Sequence, residues 1–199
     1  SGYGINWAFL SNTPPRVLRI AYLEDGSPAA NAGLQRGDTI LSADNVSIND
    51  NTEAGIEILN EVLFNPTAGS THNLKLRSNN GTEKSINVVA GNITQTPVQN
   101  VNTLITENGT KVGYMQFNSH ISIAQPELIN AVNKFKTDMI DELVIDFRYN
   151  GGGVLALSAQ LAYMVAGPAN SRGFDYYQTI RNDKQPNDTP FPFIDFEID

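Results

Sequence analysis

The sequence predicts two successive parts, an α+β domain followed by an α/β domain that is incomplete. In the first half, short strands of alternating polarity are separated by turn residues and by two helical segments. In the second half a strand, a helix, an apolar strand, a glycine-rich turn and another helix follow in βαβα order, which is typical of a parallel sheet with crossover helices. A polar stretch without helical periodicity, "GNITQTPVQNVN", separates the halves. We therefore predict domains at residues 1–91 and 111–199, with residues 92–110 as a linker or connecting strand.

The composition excludes several classes of function. Of the 199 residues, 40% are hydrophobic and 17% are charged, as in ordinary soluble globular proteins. The formal net charge of -8, with scattered Lys and Arg, argues against a nucleic-acid partner. The chain has no cysteine, which rules out disulfides and thiolate metal sites, and two histidines, His72 and His120, are too few for a His-rich metal centre. We predict neither a metal nor a cofactor.

Local signals place the first elements of the first domain. The segment "RVLRIAYL" (16–23) alternates and is rich in β-forming residues, so it is predicted as a strand. A short helix is predicted next, with Ser27 as its N-cap and Pro28 at its first position. Two short strands then follow, and we expect the turn that joins them at Asp44 and Asn45.

A longer helix and a hairpin complete this domain. Between Thr52 and Phe64 the apolar residues recur at helical spacing, and we predict Asp50 or Asn51 as the cap of this helix. The segment "HNLKLRSNNGTEKSINVV" contains two alternating strands around an Asn-Asn-Gly sequence. This pattern predicts a β-hairpin.

The elements of the second domain have a different pattern. The segment "KVGYMQFNS" is predicted as a strand, and Pro126 is expected to open a helix. One apolar stripe on this helix consists of Leu128, Val132, Phe135 and Met139. The segment "ELVIDF" is apolar without alternation, as in strands that are covered on both faces. The polar stretch "NDKQPNDTPFPF" has no periodicity, so no closing element is predicted at the end of the chain.

The N-terminal segment "SGYGINWAF" contains a Gly-apolar-Gly-apolar loop that leads into a strand. Successive backbone N–H groups in such a turn can converge on an anion, and glycine lets the main chain approach closely. In front of an open strand edge, the loop suits the terminal carboxylate of a peptide that adds to the sheet as a strand. The alternative is that this loop is only a flexible start of the chain.

This loop and the segment "SPAANAGLQRGDTILSADNVSI" together resemble a PDZ domain of the bacterial protease-associated type, over roughly the first 90 residues. The resemblance implies an α+β PDZ domain, a partly open β-barrel or sandwich with two helices. The peptide-binding loop that it implies consists of Gly2, Tyr3, Gly4 and Ile5. The backbone amides of the last three are expected to hold the carboxylate, with the groove between the strand at 5–10 and the helix at 52–64. Trp7 and Phe9 are either walls of an apolar pocket or core residues.

Residues 146–153 read "DFRYNGGG" and resemble the Asp-Leu-Arg-x-Asn-x-Gly-Gly motif of the C-terminal processing, or tail-specific, serine proteases. Phe147 replaces the usual leucine, which is a mild apolar exchange. Upstream, "KVGYMQFNSH" is similar to a strand of that family, with His120 where phenylalanine is usual. The PDZ-like part, the connection, the strand, the helix and the glycine motif follow the family's order. The resemblance thus covers nearly the whole chain and implies that the second domain is the first part of an α/β protease core.

The glycine motif suits the chemistry that this family performs. Glycines between a strand and a helix start leave backbone N–H groups unpaired, and the helix dipole adds partial positive charge. Such a turn can stabilise the oxyanion of the tetrahedral intermediate in peptide hydrolysis. The resemblance assigns this role to Gly152 and Gly153, without a choice between them, and makes Asp146 and Arg148 supports of the turn. Asn150 either caps the following helix or fixes the turn.

The sequence allows two other interpretations of the glycines. A nucleotide-binding loop needs G-x-G-x-x-G or G-x-x-x-x-G-K-[ST], and "YNGGGVLAL" has neither, so we do not expect phosphate binding. The second alternative is a purely structural turn, in which the glycines serve only for close helix packing.

The family's serine nucleophile and lysine base are not identified in the sequence. Nothing after the glycines resembles the family's nucleophile segment. Ser158, on the predicted helix, and Ser171, in a predicted loop, are expected to be surface or packing residues, and Lys184 has no evident partner. Ser119 and His120 are adjacent on a strand, so their side chains point to opposite faces. We therefore expect the dyad to lie beyond Asp199 and this chain alone to be inactive.

Together these resemblances lead us to expect a PDZ-containing C-terminal processing serine endopeptidase whose PDZ domain binds the C-terminal tails of proteins or peptides. The alternative is a non-catalytic PDZ scaffold with a protease-like domain; an autoinhibitory PDZ domain and self-association are left open. The start "SGYGINW" lacks the basic and apolar regions of a signal peptide, so we expect any targeting segment to lie outside this sequence. The resemblance implies the bacterial cell envelope, at a periplasmic location, with a lipid anchor as an option.

Overall fold

The computed structural model describes residues 1–196 and residue 198, and the chain divides into two compact units, residues 1–96 and residues 97–199. Within the described residues, no helix combines the length and the apolar character that a membrane crossing requires.

The first unit is a six-stranded antiparallel sheet with two helices. Its elements are β1 (Ile5–Ser11), β2 (Val17–Leu23), α1 (Pro28–Asn31), β3 (Thr39–Ala43), β4 (Val46–Ser47), α2 (Glu53–Phe64), β5 (Thr71–Arg77) and β6 (Glu83–Val89). The strands lie in the order β1-β2-β3-β5-β6, and β4 pairs with β3. A bridge between Gly2 and Gly91 links the chain before β1 to the chain after β6. The sheet therefore curls without closing into a complete barrel, as the sequence predicts.

Alternation along the strands builds the core of this unit. The large apolar side chains with at most 1% exposure come from β2, β3 and β5 and are Leu18, Ile20, Ile40, Leu74 and Leu76. Helix α2 adds Leu59, Val62 and Leu63 to the same cluster. The inward positions recur at every second residue of β2 and β5, the period at which a strand presents one face to a core.

Three local predictions for this unit can be compared with the structure. Ser27 caps α1 by accepting a hydrogen bond from a backbone N–H, with Pro28 in the first turn, which confirms that prediction. Asp44 and Asn45 have φ angles of 46° and 66°, which confirms the turn between β3 and β4. The predicted cap of α2 was wrong.

The residue that caps α2 is Thr52, whose Oγ1 accepts the N–H of Gly55 at 3.1 Å. Thr52 has the extended backbone that a cap needs, with φ -71° and ψ 148°. Asp50 binds the capping residue itself, because its Oδ1 accepts hydrogen bonds from the N–H and the hydroxyl of Thr52 at 2.8 and 2.6 Å. Asp50 therefore supports the cap without being the cap.

The second unit contains a three-stranded mixed sheet. Its elements are β7 (Val98–Ile105), β8 (Lys111–Phe117), α3 (Ala124–Asp138), β9 (Glu142–Asp146), α4 (Leu155–Ala166), α5 (Pro168–Ser171), β10 (Asp175–Tyr177) and β11 (Phe191–Pro192). Strands β8 and β9 are parallel and are joined by α3, whereas β7 is antiparallel to β8. The β8-α3-β9-α4 succession matches the predicted βαβα order. Strand β7 occupies much of the segment that was predicted as a linker or connecting strand.

The core of this unit lies between the sheet and helices α3 and α4. Its most buried large side chains are Met115, Phe117, Leu128, Phe135 and Leu157. Helix α3 starts at Ala124, so Pro126 lies in the first turn and does not open the helix. Met139 was wrongly placed in the apolar stripe, since it is the left-handed C-cap of α3 (φ 54°) and its side chain is 72% exposed.

Two further expectations for the second unit differ from the structure. Strand β9 pairs only with β8 and forms an edge of its sheet, and Val144 is 46% exposed, so β9 is not covered on both faces within the described residues. The end of the chain was expected to lack a closing element, but β10 and β11 pair there as a small antiparallel sheet. The exposure of β9 and the pairing of β10 with β11 both depend on contacts with other segments of the chain, which local sequence patterns do not encode.

Candidate functional site

The glycine turn follows β9 and leads directly into α4. Because β8 and β9 are parallel, their carboxyl ends lie at the same edge of the sheet, and the chain after β8 runs beside the turn. His120 N–H donates to Gly152 O at 3.1 Å, and Val154 N–H donates to His120 O at 2.8 Å. The turn is therefore held from both sides by the backbone of one residue after β8.

The backbone at Gly153 has no room for a side chain. Its φ of +138° is one that L-residues rarely adopt, and a Cβ atom there would lie 2.3 Å from His120 O. Gly152 also has a positive φ, +93°, but a Cβ there would meet nothing within 4 Å. Gly153 is thus required for the close approach of the two segments. This observation supports a structural role of the glycine, and that role is compatible with a catalytic one.

The side chain of Asn150 fixes the turn. Its Oδ1 accepts the Gly152 N–H at 2.8 Å and lies 2.9 Å from His120 Nδ1, while its Nδ2 donates to Phe117 O at 2.9 Å. The N-cap residue of α4 is Val154, with no side-chain cap hydrogen bond. Of the two roles left open by the sequence, the geometry therefore supports fixing the turn over capping the helix.

Asp146 and Arg148 form a compact ion pair at the end of β9. The Asp146 carboxylate accepts from the backbone N–H and the guanidinium of Arg148 and, at 2.8 Å, from the Tyr114 hydroxyl. The hydrogen bonds from Arg148 hold the pKa of Asp146 well below its usual range. Desolvation, followed by the hydrogen bond to Asp146, raises the pKa of Tyr114. This arrangement fits the expected supporting role at the start of the turn.

Replacing Asp146 by asparagine is expected to destabilise the second unit by about 1 kcal/mol at neutral pH, a value kept small because Arg148 is 59% exposed. The folded-state pKa of Asp146 lies below that of the unfolded chain, so the carboxylate stabilises the fold above about pH 4 and loses this contribution as the pH falls further. Urea unfolding of the wild-type and Asp146→Asn proteins between neutral and acidic pH measures the difference in their free energies of unfolding. It should shrink below about pH 4.

The control for this variant is Tyr114→Phe, which removes one hydrogen bond to the carboxylate and leaves the ion pair with Arg148. We expect it to cost less than Asp146→Asn. If the difference in free energy of unfolding between wild type and Asp146→Asn stayed constant down to the lowest pH, the ion pair with Arg148 would not stabilise the turn as proposed.

The candidate serines do not form a catalytic site with the described residues. Ser158 lies on α4, as predicted, and its hydroxyl bonds the hydroxyl of Tyr176. Ser171 was expected in a loop but is the last residue of α5, where it is fully buried and donates to Gly167 O at 2.7 Å. No serine–lysine hydrogen bond is found in the part of the chain that the structure describes. These serines are packing residues.

The N-terminal loop is well fixed. Ala29 N–H donates to Tyr3 O at 3.0 Å, and Glu24 N–H donates to Gly4 O at 2.8 Å. Gly4 has a φ of +75°, and a Cβ atom there would lie 2.2 Å from Ser27 Cβ. These contacts argue against the alternative of a flexible start. The loop also lines a cavity of about 330 Å³, together with the end of α2.

A groove runs between β1 and α2. Among the described residues, strand β1 has a strand partner on one side only, so its other edge is open for an added strand. A second cavity, of about 130 Å³, is lined mainly by apolar side chains of these two elements, among them Phe9, Ile56, Leu59, Leu63 and Phe64. Phe9 is 50% exposed, and its ring lies 6.0 Å from that of Phe64. Phe9 is therefore a groove wall.

Two aromatic side chains tie β1 and the loop to the end of α2. The Tyr3 hydroxyl donates to Val62 O at 2.9 Å, and Trp7 Nε1 donates to Leu63 O at 3.2 Å. These bonds satisfy carbonyl groups in the last turn of a helix, which lack partners within the helix itself. Trp7 is half-buried; it packs against the core and also lines the cavity of the N-terminal loop.

Sequence reasoning missed a buried carboxylate at the same cavity. Glu24, at the end of β2, is 5% exposed and lines the cavity of the N-terminal loop. It accepts hydrogen bonds from Asn6 Nδ2 and from the N–H and the hydroxyl of Thr96. Since these partners lie 18 and 72 residues away along the chain, no local motif marks Glu24.

A Ser–His–Asp chain of hydrogen bonds in the first unit was also missed. His72 Nε2 lies 2.7 Å from Ser70 Oγ, and its Nδ1 lies 2.7 Å from Asp44 Oδ2. The Ser70 hydroxyl also bonds Thr67 O, and the N–H groups of Ser70 and of the glycine before it donate to backbone carbonyls. Neither of these two N–H groups is therefore free for an oxyanion. The chain of bonds links β5 to the β3–β4 turn, and these contacts support a structural role.

Metal binding receives no support from the side chains. Among the residues described, no group of three or more His, Cys, Asp or Glu side chains is placed to hold a metal ion.

Comparisons with known proteins follow the division of the chain. Residues 19–61 match the PDZ domain model, and residues 111–191 match that of peptidase family S41. A carboxyl-terminal-processing protease of Picosynechococcus sp. is 30% identical over 160 residues, which cover 80% of this chain and 37% of that protein. The chloroplastic carboxyl-terminal-processing peptidase 2 of Arabidopsis thaliana is 25% identical over 169 residues, covering 81% of this chain and 31% of that protein. The chain thus spans about a third of the length of these relatives.

Solved structures show the same fold. A putative S41 protease from Bacteroides fragilis superposes with a TM-score of 0.67 at 25% identity, covering 96% of this chain and 51% of that one. A photosystem II D1 C-terminal processing protease gives a TM-score of 0.57 at 18% identity, covering 96% of this chain and 49% of that one. The second likeness concerns the fold alone.

Proposed function

The chain belongs to peptidase family S41 and carries a PDZ domain in its first part, and from this premise we propose that the full-length protein is a serine endopeptidase that processes protein substrates recognised by their C-terminal tails. The observation that carries the proposal is the glycine turn at the start of α4. It is held rigidly, and the N–H groups of Gly151 and Gly153 have no hydrogen-bond partner among the described residues.

Gly153 is the preferred oxyanion donor within this turn. The Gly152 N–H donates to Asn150 Oδ1 at 2.8 Å and is therefore occupied, whereas the Gly153 N–H is free among the described residues. A fixed backbone donor that meets the developing negative charge of a tetrahedral intermediate contributes roughly 3–4 kcal/mol to the barrier reduction. Asp146, Arg148 and Asn150 hold the turn and do not touch the substrate in this proposal.

The nucleophile and its base are proposed to lie in a part of the protein outside these 199 residues. The short span relative to the carboxyl-terminal-processing relatives supports this, as does the absence of a serine–lysine hydrogen bond within the described residues. A lysine serves as base when burial lowers its pKa, and it then accepts the proton of the attacking serine hydroxyl.

The PDZ domain is proposed to capture the tail of the substrate. The tail would add as a strand to the open edge of β1, with its carboxylate at the N–H groups of Tyr3, Gly4 and Ile5. Gly2 shapes this loop without donating to the ligand, because its N–H donates to Gly91 O at 2.9 Å. The apolar walls of the groove favour an apolar last residue.

A peptide with a free, apolar C-terminus is expected to bind this chain at least about tenfold more tightly than the same peptide with an amidated end, because the amide removes the charge that the loop N–H groups meet. Isothermal titration calorimetry measures both affinities. Phe64→Ala, in the groove wall, should weaken binding, whereas Val89→Ala, on β6 and outside the groove, should not; Phe64 and Val89 are 40% and 51% exposed. Equal affinity for both peptides would remove the carboxylate assignment.

Proteolysis itself is tested on the full-length protein. A reporter protein that ends in an apolar tail should be cleaved faster than one that ends in a charged tail. The rival function is a non-catalytic PDZ scaffold, and it is favoured if the full-length protein binds the tail and leaves the reporter intact. From the family resemblance we place the protein in the bacterial cell envelope, at a periplasmic site, which cell fractionation tests.

A further inference from the structure

The imidazole of His120 stands at the point where the glycine turn is fixed. We propose that His120 is a positioning residue of the candidate oxyanion turn: its Nδ1–H holds Asn150, which in turn binds the Gly152 N–H and leaves the Gly153 N–H for the reacting carbonyl. The effect on catalysis rests on the proposed function, whereas the hydrogen-bond arrangement itself does not.

The orientation of the Asn150 amide is fixed by two contacts that do not involve His120. Its Oδ1 is 2.8 Å from the Gly152 nitrogen, which only donates, and its Nδ2 is 2.9 Å from Phe117 O, which only accepts. If the oxygen and the nitrogen of the amide were exchanged, the amide nitrogen would face the Gly152 N–H, a donor, and the amide oxygen would face Phe117 O, an acceptor, so neither contact could be a hydrogen bond. The atom facing His120 is therefore an oxygen.

This orientation determines the tautomer of His120. Its Nδ1 lies 2.9 Å from an acceptor, so Nδ1 carries the hydrogen and donates it. In the neutral ring the second nitrogen, Nε2, then has a lone pair, and it has no partner among the described residues. Asn150 Oδ1 thus accepts two hydrogen bonds, one from the turn and one from the ring.

The ring of His120 is held in place by aromatic neighbours. It lies 4.4 Å from the ring of Phe117, measured between centroids, and is stacked on Phe147 with an interplanar angle of 7°. Its backbone is fixed at both sides by bonds to Gly152 and Val154. A phenylalanine would preserve this stacking but could not donate to Asn150. The hydrogen bond is therefore the specific contribution of the imidazole.

The consequence for catalysis follows from the shared acceptor. Without the Nδ1–H, Asn150 Oδ1 keeps a single donor, and its amide is less restrained in its contact with Gly152. The neighbouring Gly153 N–H then meets the developing oxyanion less accurately, and misplacement of a catalytic group by a fraction of an ångström lowers the rate of the chemical step. We expect a loss of roughly tenfold in kcat with little change in KM.

Three variants of the full-length protein test the role in catalysis. His120→Phe keeps the ring and removes the donor, His120→Asn places an amide N–H near the position of Nδ1, and His120→Gln places one near the position of Nε2. The expected order of kcat is wild type, then Asn, then Gln and Phe together. Equal kcat for wild type and His120→Phe would overturn the positioning role, and so would a rescue by Gln that equals the rescue by Asn.

Two measurements on the 199-residue chain do not depend on protease activity. The ¹⁵N shifts of the neutral imidazole, recorded at alkaline pH, should report the hydrogen on Nδ1, and amide hydrogen exchange at Gly152 should be faster in His120→Phe than in wild type. A ring protonated at Nε2, or unchanged exchange at Gly152, would overturn the inference even in an active enzyme. If the full-length protein cleaves no substrate while both signals are found, the proposed function fails and the hydrogen-bond arrangement stands.

Discussion

Gly153→Ala is expected to destabilise the second unit by about 3 kcal/mol or more. The backbone at this residue has a φ of +138°, which costs an L-residue roughly 1–3 kcal/mol. The new Cβ atom would also lie 2.3 Å from His120 O, so the chain after β8 or the turn itself must move. Since the obstacle is a backbone atom, no side-chain rotation relieves it. Urea unfolding followed by a probe in the second unit measures the loss of free energy of unfolding.

The neighbouring glycines are matched controls for this variant. Gly151→Ala introduces a Cβ that meets nothing within 4 Å at a residue without a positive φ, so we expect a change within about 0.5 kcal/mol. Gly152→Ala has open space but a φ of +93°, and its expected cost is about 1–2 kcal/mol. If all three alanine variants had the same stability, the close approach of Gly153 to His120 would be disproved.

The same series separates structure from catalysis in the full-length protein. Alanine keeps the backbone N–H, so Gly153→Ala removes no donor and acts only by displacing it. We expect cleavage to be lost in Gly153→Ala and retained in Gly151→Ala. This contrast is informative because the two residues are separated by a single position and both have free N–H groups among the described residues.

The elements that sequence predicted well are those fixed by neighbouring residues. Ser27 and Pro28 mark the start of α1, and Asp44 and Asn45 adopt the positive φ angles of their turn, because these effects arise within a few bonds. The β8-α3-β9 crossover was predictable because a helical period between two apolar strands leaves few other topologies. Local chemistry and chain order were sufficient in these cases.

The predictions that failed needed information from other parts of the molecule. Three successive polar residues before α2 can each act as a cap, and the choice of Thr52 depends on which of them takes the extended backbone conformation. Met139 continues the helical period of α3, but the helix ends at Asp138 and the next residue is left-handed. Val144 belongs to an apolar segment, yet its exposure is determined by what covers β9.

In the candidate site, too, the sequence predicted the local feature but not the contacts with distant residues. The glycine motif predicted where the turn lies, and the family resemblance named Asn150, but neither gave the partners of the Asn150 side chain. Phe117 and His120 lie 33 and 30 residues before it, and the bonds exist only because the parallel pairing of β8 and β9 brings the ends of these strands together. The one signal in the sequence was the histidine at a position where the family usually has phenylalanine. Its meaning required the geometry.

Gly4→Ala is expected to abolish peptide binding and to destabilise the first unit by about 3 kcal/mol. A Cβ atom at this residue would lie 2.2 Å from Ser27 Cβ, and the φ of +75° adds the cost of a left-handed backbone. Ser27 cannot move freely, because its side chain caps α1 and its backbone N–H donates to Glu24 O at 3.2 Å. The loop must therefore shift, and the N–H groups proposed to bind the carboxylate shift with it.

Gly26→Ala serves as the matched control, since it has a φ of +65° but no atom within 4 Å of the new Cβ. It should cost about 1–2 kcal/mol, from the backbone alone, and leave the affinity for a free C-terminus unchanged. Calorimetry on both variants, at a temperature where both remain folded, distinguishes loss of affinity caused by displacement of the loop from loss caused by lower stability of the unit. Because Gly26 lies outside the groove, equal loss of affinity in the two variants would show that binding follows the stability of the unit and not the position of the loop.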